Sequence, residues 1–425
     1  MRGLTASPLR FGAVAIAVCF AVVLSAIVAI AQPQPVRVSV LIQALEGTQW
    51  QPIVEAFEEA NPDIDLDIIE GPNATNLVED LYTSSFLLGD SPYDLVYMDI
   101  VWVQKFAAAG WLLPLSDRVS ETELAEFLDG DIDGSRFDGE LYRMPFRSDG
   151  GMLYYRTDLL AEIGAQPPET VAELMEISKV LQAANAADWG YVWQGRQYEG
   201  LSAMFVEILE GFGGFWVNPE TREVGLDQPE AIAAVQFLLN TIEEEVSPNG
   251  VTNYQEEEAR RLFQNGGSVF MRNWPYAWAL VNADDSPVAG KVGIKPMVHQ
   301  AGYGSGACQG GWGLGIAKSS AHPDEAWRVA EFFASAAAQR QFVLESAYVP
   351  SRRALFTDPE IVAKYEHYPD LLNVVENAVL RPPIAQYAQA SDILQRYLSA
   401  AFTGRQSPEE AMQQAARETR RLVDS

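Results

Sequence analysis

Two acidic residues stand at the ends of predicted strands, where their carboxylates could hold a ligand. Glu46 follows the strand VRVSVLI, and Asp99 ends the strand in YDLVYMD. Ionised carboxylates accept strong hydrogen bonds, and ligands of open α/β sheets bind beyond the carboxyl ends of the strands. Both acids are therefore candidate ligand contacts. The alternatives are a charge that stabilises the following helix for Glu46 and a solvated loop acid for Asp99.

A tryptophan among glycines is the next candidate, in the run GACQGGWGLGIAKSS at 306–320. Glycine weakens a strand and often marks a place where another group approaches the backbone closely. Gly310 and Gly311 would let a ligand come close to the backbone beside Trp312. Core packing is the alternative for Trp312 taken alone.

The elements that position these residues begin as an α/β unit. After the first strand, QPIVEAFEEANP has apolar residues on one helical face and Asn-Pro as a stop. DIDLDIIEG alternates acidic and apolar residues, which is typical of a strand with one wet face. A second helix is predicted at 76–88. This alternation predicts an open, mainly parallel sheet.

A second, more helical region is predicted beyond YRMPF at 142–146. Its helices are predicted near 169–184, 201–211, 229–244 and 254–264. In GGSVFMRNWPYAW a strand leads into a loop that carries Trp274 and Tyr276. KVGIKPM at 291–297 is a short strand that suits a crossover, and a strand at 312–317 with a following helix returns to the first unit.

Composition limits the class of protein. The 425 residues suffice for two or three domains. The net charge of −29, from 58 acids and 29 bases, would repel nucleic acid and anionic membranes. Cys19 and Cys308 are the two cysteines, so a mature chain without the first would have no disulfide framework.

The N-terminal residues have the pattern of an export signal. Arg2 and Arg10 precede an apolar run at 11–30, and Ala29-Ile30-Ala31 is a small-x-small cleavage site. We expect residues 1–31 to be a signal peptide. The alternative is a retained anchor helix, because about 20 apolar residues span a bilayer.

Several stretches together resemble the extracellular solute-binding proteins of ABC importers, in the carbohydrate-binding group and most closely the trehalose/maltose-binding proteins. The stretches are FEEANPDIDLDIIEG, SPYDLVYMDIVWVQKFAAAGWLLPL, YRMPFRSDGGMLYYRTDLL, GYVWQGRQYEG, VFMRNWPYAW, GGWGLGIAKSSAHPDEAWRVAEFF and RPPIAQYAQASDILQ. They run in the family's order over nearly the whole mature chain.

The resemblance implies an α/β fold of the two-lobed periplasmic binding-protein type, with three hinge crossovers (type II). The implied lobes are 36–145 plus 297–348, and 146–296 plus 349–425. It further implies a binding protein rather than an enzyme, a sugar as ligand, transmembrane permease subunits as partners, no cofactor or metal, and a monomer outside the cytoplasm.

Eight residues match sugar contacts of the family. They are Glu46, Asp99, Asp149, Trp274, Tyr276, Gly311, Trp312 and Arg381. The acids and the arginine would take the hydroxyl groups, each of which offers one donor and two acceptors. The aromatic rings would pack on the apolar C–H face of the sugar.

The sequence departs from the family at two positions. Arg147 stands where the trehalose/maltose-binding proteins often carry tyrosine, which could alter the disaccharide accepted. A sugar-contacting arginine of the family has no clear counterpart here, and Asn76 is the residue offered for it. Trp102 and Tyr191 are candidates either for the cleft or for the core. Capping of the preceding helix remains the alternative for Arg381.

Two other functions stay open from the sequence. Paired carboxylates and aromatic residues also build glycoside hydrolases, and the same fold could bind a polyol or an oligosaccharide. G-x-S-x-G, H-E-x-x-H and Walker A motifs are absent, and His299, His322 and His367 have no metal-ligand spacing.

Overall fold

The computed structural model describes residues 34–89 and 91–424. Its strands are β1 Val36–Gln43, β2 Ile64–Gly71, β3 Leu95–Asp99, β4 Arg136–Phe137, β5 Glu140–Leu141, β6 Met144–Gly150, β7 Met152–Arg156, β8 Trp189–Val192, β9 Ser268–Asn273, β10 Val292–Lys295, β11 Ala307–Ile316, β12 Val349–Pro350 and β13 Ala378–Val379. The predicted signal peptide at 1–31 lies outside the described residues.

Helices surround these strands. They are α1 Gly47–Ala60, α2 Thr75–Leu88, α3 Val103–Ala108, α4 Glu121–Leu124, α5 Asp129–Asp133, α6 Thr157–Glu162, α7 Val171–Ala183, α8 Glu199–Gly211, α9 Pro229–Glu243, α10 Glu256–Gln264, α11 Ala277–Val281, α12 Pro323–Ala334, α13 Ala336–Ser346, α14 Pro359–Lys364, α15 Tyr368–Glu376, α16 Tyr387–Phe402 and α17 Pro408–Val423. None of the helices in the described ranges combines the length and the apolar character that crossing a membrane requires.

The first unit forms as its local sequence pattern predicts. β1 is apolar and buried from Val38 onward, because it lies in the interior of a sheet. α1 buries the side chains that recur at helical spacing, namely Trp50, Ile53, Val54 and Phe57. In β2, Ile64 and Leu66 are buried while Asp65 is exposed, so this strand has one dry and one wet face.

The first sheet has the strand order β12-β6-β11-β3-β1-β2, and β13 pairs with β11. β1 is parallel to β2 and β3, whereas β11 is antiparallel to both β3 and β6. The sheet is therefore mixed, and the prediction of a mainly parallel sheet holds only for its first three strands. The difference arises because β6, β11 and β12 come from chain segments beyond the first predicted α/β segment.

The register of β11 determines which residues become neighbours. Trp312 lies opposite Asp99 of β3 on one side and opposite Arg147 of β6 on the other. Gly310 lies opposite Asp149, and the β6 register shifts between Trp312 and Gly313. β11 thereby places residues of β3 and β6 on either side of Trp312.

The second sheet has the order β10-β7-β9-β8. The chain passes from β6 in the first sheet to β7 in the second at Gly151, and it returns between Lys295 and Ala307. β10 was expected to suit a crossover; it pairs antiparallel with β7 inside the second sheet, and the return follows it. β6 belongs to the first sheet as far as Gly150, so the chain leaves this sheet after that residue.

Among the residues that the structure describes, three apolar clusters stabilise these units. One lies on the first sheet and includes Trp50 and Phe333. Another lies on the second sheet and includes residues of α16 and α17 from the end of the chain. The third joins Met152, Val349 and Tyr368, which belong to elements from different parts of the chain. The C-terminal segment thus completes the second unit after contributing two strands to the first sheet.

Candidate functional site

Glu46 is fully buried in the short turn that follows β1, directly before α1. Its carboxylate accepts hydrogen bonds from Trp50 Nε1 at 3.2 Å, from the Tyr97 hydroxyl at 2.8 Å and from Arg147 Nη2 at 2.7 Å. Its side chain makes no capping hydrogen bond to the helix. The carboxylate therefore bonds to a side chain of α1 and to two side chains of the sheet rather than to the backbone N–H groups of the helix N-terminus.

Arg147 occupies the centre of the site. Its guanidinium forms ion pairs with Glu46 and Asp149. Its Cζ atom lies 4.6 Å from the ring centre of Tyr348 and 5.5 Å from that of Trp312. Burial disfavours the charged guanidinium, but Glu46, Tyr97 and Asp149 together outweigh this effect and hold the pKa of Arg147 well above its ordinary value. The side chain is therefore a permanent buried cation between two acids.

Asp149 is 9% exposed and ends β6 beside Gly310. Burial raises the pKa of Asp149 to about 6, while Arg147 lowers this pKa and the Glu46 and Asp99 carboxylates raise it further. Asp149 can therefore change its protonation state close to neutral pH.

Asp99 and Arg381 are far apart in the sequence but form an ion pair. Asp99 Oδ1 accepts from Arg381 Nη2 at 3.1 Å and from the Val101 backbone N–H at 3.1 Å. Arg381 Nη1 donates to Glu199 Oε1 at 2.8 Å. Because Asp99 belongs to the first sheet and Glu199 begins α8 beside the second, Arg381 links the two units. Its guanidinium bonds to these carboxylates rather than to the end of the preceding helix.

Trp312 is 5% exposed and packs in an aromatic cluster. Its ring centre lies 4.9 Å from that of Tyr97 and 5.3 Å from that of Trp102. Trp102, which is 2% exposed, therefore packs against Trp312. Trp312 is therefore part of the apolar core of the first unit as well as a neighbour of the buried acids.

Two glycines of β11 allow close approach on either side of this cluster. Gly311 has a φ of +133°, and a Cβ atom there would lie 2.9 Å from the Arg147 carbonyl oxygen. A Cβ at Gly310 would lie 3.4 Å from the indole ring of Trp274. Trp274, which follows β9 of the second sheet, therefore rests against the first sheet.

The aromatic loop after β9 is held by acids of α10. Trp274 Nε1 donates to Glu256 Oε1 at 3.3 Å, and the Tyr276 hydroxyl donates to Glu257 Oε1 at 3.0 Å. Both rings are half-buried. The loop thus presents two partly accessible rings from the second unit.

Other candidates lie elsewhere. Asn76 is exposed on α2. Tyr191 is fully buried in the core of the second unit, and its hydroxyl lacks a hydrogen-bond partner among the described residues. In the part of the chain that the structure describes, no group of His, Cys, Asp and Glu is arranged to hold a metal ion.

Sequence reasoning missed Tyr97 and Glu199. Tyr97 shares the strand of Asp99 two residues away, so the period of two that puts both side chains on one face of β3 could have indicated it. Glu199 is one acid among many, and nothing local in the sequence distinguishes it.

The chain forms two α/β units that are joined by several chain passages. A polar and aromatic site lies where their sheets meet. These features define a binding protein of the type II class. The predicted fold class is thereby confirmed. The chain belongs to the bacterial extracellular solute-binding proteins, whose family model matches residues 43–340. The resemblance to the binding proteins of ABC importers is confirmed, and the chain is the solute-binding component of an ABC transporter.

Individual relatives agree with this assignment. The "Probable ABC transporter-binding protein" of Deinococcus radiodurans is 31% identical over 353 residues, which cover 81% of this chain and 83% of that protein. The maltotriose-binding protein of Pyrococcus abyssi is 25% identical over 324 residues, 75% of this chain and 67% of its own. The solved structure of maltose-bound MalE3 of T. maritima is 38% identical, with a TM-score of 0.85, and covers 91% of this chain and 100% of that one.

Proposed function

We propose that this protein binds a sugar for an ABC importer and delivers it to the membrane permease. The ligand is a disaccharide or glucoside of the class of trehalose, maltose, sucrose or glucosylglycerol, held between the lobes and not cleaved. The observation that carries the proposal is the register of β11, which puts Trp312 between Asp99 and Arg147.

The chemistry of the gathered side chains supports a sugar. Carboxylates and guanidinium groups form charge-assisted hydrogen bonds with hydroxyls, and aromatic rings pack on C–H faces. Glu46, Asp99 and Asp149 come from the first sheet, whereas Trp274 and Tyr276 follow a strand of the second. A ligand touching both sets would favour closure, because its affinity would differ between the open and closed forms.

The relatives support the same class of ligand. The structural neighbour at 38% identity carries bound maltose, and one relative is a maltotriose-binding protein. Another is a mannitol-binding protein, so polyols remain competitors. The family consists of binding proteins, in keeping with the proposal that the chain is not a hydrolase.

The lobes in this proposal are 36–145 plus 297–348 and 146–296 plus 349–425, acting as a monomer without a cofactor or metal. Export would use the signal peptide at 1–31. Transmembrane permease subunits are the protein partners. The net charge of −29 argues against nucleic acid as a partner.

Calorimetric titration tests the proposal with a panel of trehalose, maltose, sucrose, glucosylglycerol, maltotriose and mannitol. We expect tight binding of one of the four disaccharides or glucosides, with the sugar recovered intact by chromatography. Binding of mannitol or maltotriose alone would point to the polyol or oligosaccharide alternative. Release of monosaccharides would identify a hydrolase, and no binding by any panel member would contradict a sugar ligand.

The affinity for the sugar should fall as the solution becomes more acidic. Asp149 accepts a sugar hydroxyl best as a carboxylate, so the bound state favours the ionised form and binding strengthens as pH rises through its pKa of about 6. At about pH 5 roughly a tenth of these groups stay ionised, so affinity should drop by up to about tenfold relative to pH 7.5. Calorimetry across this range measures the effect.

Two variants control this measurement. Asp149→Asn should bind more weakly and lose the pH dependence. Burial also raises the pKa of Asp131, to about 7, so Asp131→Asn is the matched control and should keep the dependence. A pH profile that Asp149→Asn leaves unchanged would assign the titration to another group.

Arg381 should control how long the sugar stays bound. Arg381 Nε is buried, and none of the described residues bonds to it. In the proposed complex this N–H donates to a sugar hydroxyl. Arg381→Lys keeps the charge but loses the planar fork, so binding should weaken mostly through faster release. Arg381→Ala should weaken binding by ~2–4 kcal/mol, because charged partners are lost.

Stopped-flow release rates decide this prediction. Arg396 forms ion pairs with Asp392 and Glu418 on the surface, so Arg396→Lys is the matched control and should release the sugar at the wild-type rate. Wild-type rates in both Arg381 variants would exclude the residue from the site.

A further inference from the structure

Arg272 lies directly beneath the aromatic loop. It is fully buried near the end of β9, two residues before Trp274. Its Cζ atom lies 4.1 Å from the Trp274 ring centre, so the guanidinium covers one face of the indole. A ligand can therefore stack only on the opposite face.

Glu207 holds this guanidinium in a fixed plane. Its carboxylate accepts from Arg272 Nε at 2.8 Å and also from Arg272 Nη2, which makes the pair bidentate. Arg272 Nη1 lies 3.3 Å from Gln194 Oε1, a second acceptor. The planar fork of arginine orients the group, which a lysine ammonium could not do.

The same pair touches the passage between the sheets. Glu207 Oε1 accepts from the backbone N–H of Cys308 in β11, at 3.3 Å. A Cβ atom at Gly151, where the chain enters the second sheet, would lie 1.6 Å from Glu207 Oε1 and 2.3 Å from Arg272 Nη2. The ion pair therefore fills the space between the aromatic loop and the first crossover.

A buried ion pair is weak evidence for stability, because apolar residues of similar size often serve equally well. The orientation of Arg272 against the indole gives this pair a more specific role. We propose that Arg272, held by Glu207, is a positioning residue that fixes the plane of Trp274 for stacking on the ligand; the inference rests on the proposed sugar-binding function.

A double-mutant cycle tests the proposal with the panel sugar that the wild-type protein binds most tightly. The variant Arg272→Met with Glu207→Gln removes both charges and leaves neither unpaired. We expect it to weaken binding about fivefold to tenfold when Trp274 is present, which lies between the values for exposed and for desolvated cation–π contacts. In a Trp274→Ala background the same change should alter affinity by less than about twofold.

Each outcome has one meaning. An equal loss of affinity in both backgrounds would assign the pair a merely structural role and overturn the proposal. Equal affinity of the wild type and the paired variant would overturn it as well. A wild-type protein that binds no sugar in the panel would overturn the proposed function, and this inference with it.

Two further variants keep the test decisive. Arg272→Lys retains a cation beside Glu207 in case the paired variant fails to fold, and it should lose affinity in the same background-dependent way. Arg156 is also buried, at 8% exposure, and makes a bidentate ion pair with Asp158 at the far end of β7. Arg156→Lys is therefore the matched control and should bind the sugar as the wild type does.

Discussion

Replacing Trp312 by alanine should lower the free energy of unfolding by about 3–5 kcal/mol, because the ring is 5% exposed and its loss leaves a cavity in the first core. Sugar affinity should fall in the same variant by at least ~2 kcal/mol, about thirtyfold, since an aromatic contact beside the acids disappears. Urea unfolding and calorimetry on one preparation measure both effects.

Trp193→Ala is the matched control for this substitution. Trp193 is fully buried in the core of the second unit, where it packs against Phe402. Its loss should cost similar stability while the folded protein keeps its sugar affinity. If the Trp312→Ala variant has the same free energy of unfolding as the wild type, Trp312 does not contribute to the core. Unchanged affinity would remove it from the site.

Replacing Arg147 by methionine should also cost about 3–5 kcal/mol of unfolding free energy near neutral pH, since breaking a buried ion pair leaves its partner uncompensated. Here two partners are left, the Glu46 and Asp149 carboxylates. The loss should shrink at about pH 5. Asp149, whose pKa is already about 6 with Arg147 present, then takes up a proton more readily and loses its unpaired charge.

Arg352→Met tests whether burial of the partners is the cause. Arg352 is also buried, at 6% exposure, but it pairs with Glu123 and Glu126, whose side chains are 49% and 64% exposed. Those carboxylates remain solvated without it, so the loss should be smaller and independent of pH between 5 and 7.5. Equal losses for the two variants would contradict the explanation.

The first elements could be predicted because their signals are local. The helical spacing in α1 and the alternation in β2 are properties of ten or so adjacent residues. The acids at strand ends followed from the same reasoning, since the carboxyl ends of parallel strands share one edge of a sheet. These predictions needed no information about residues that are far away in the sequence.

The neighbours of Trp312 could not be predicted in this way. Its position between Asp99 and Arg147 depends on pairing with strands more than 150 residues away, and no local pattern encodes that register. The ion pair of Arg381 with Glu199 is equally remote, since the two residues are 182 positions apart.

The position of β11 affects the order in which the elements can assemble as the chain is synthesised. This strand lies between β3 and β6, so the first sheet stays split until residue 316 has been made. The second unit also waits, because its core needs α16 and α17 from the last 40 or so residues. Contacts this distant carry a large loop-closure entropy and slow the approach to the native state. Neither sheet with its core can therefore be completed from the first half of the chain alone.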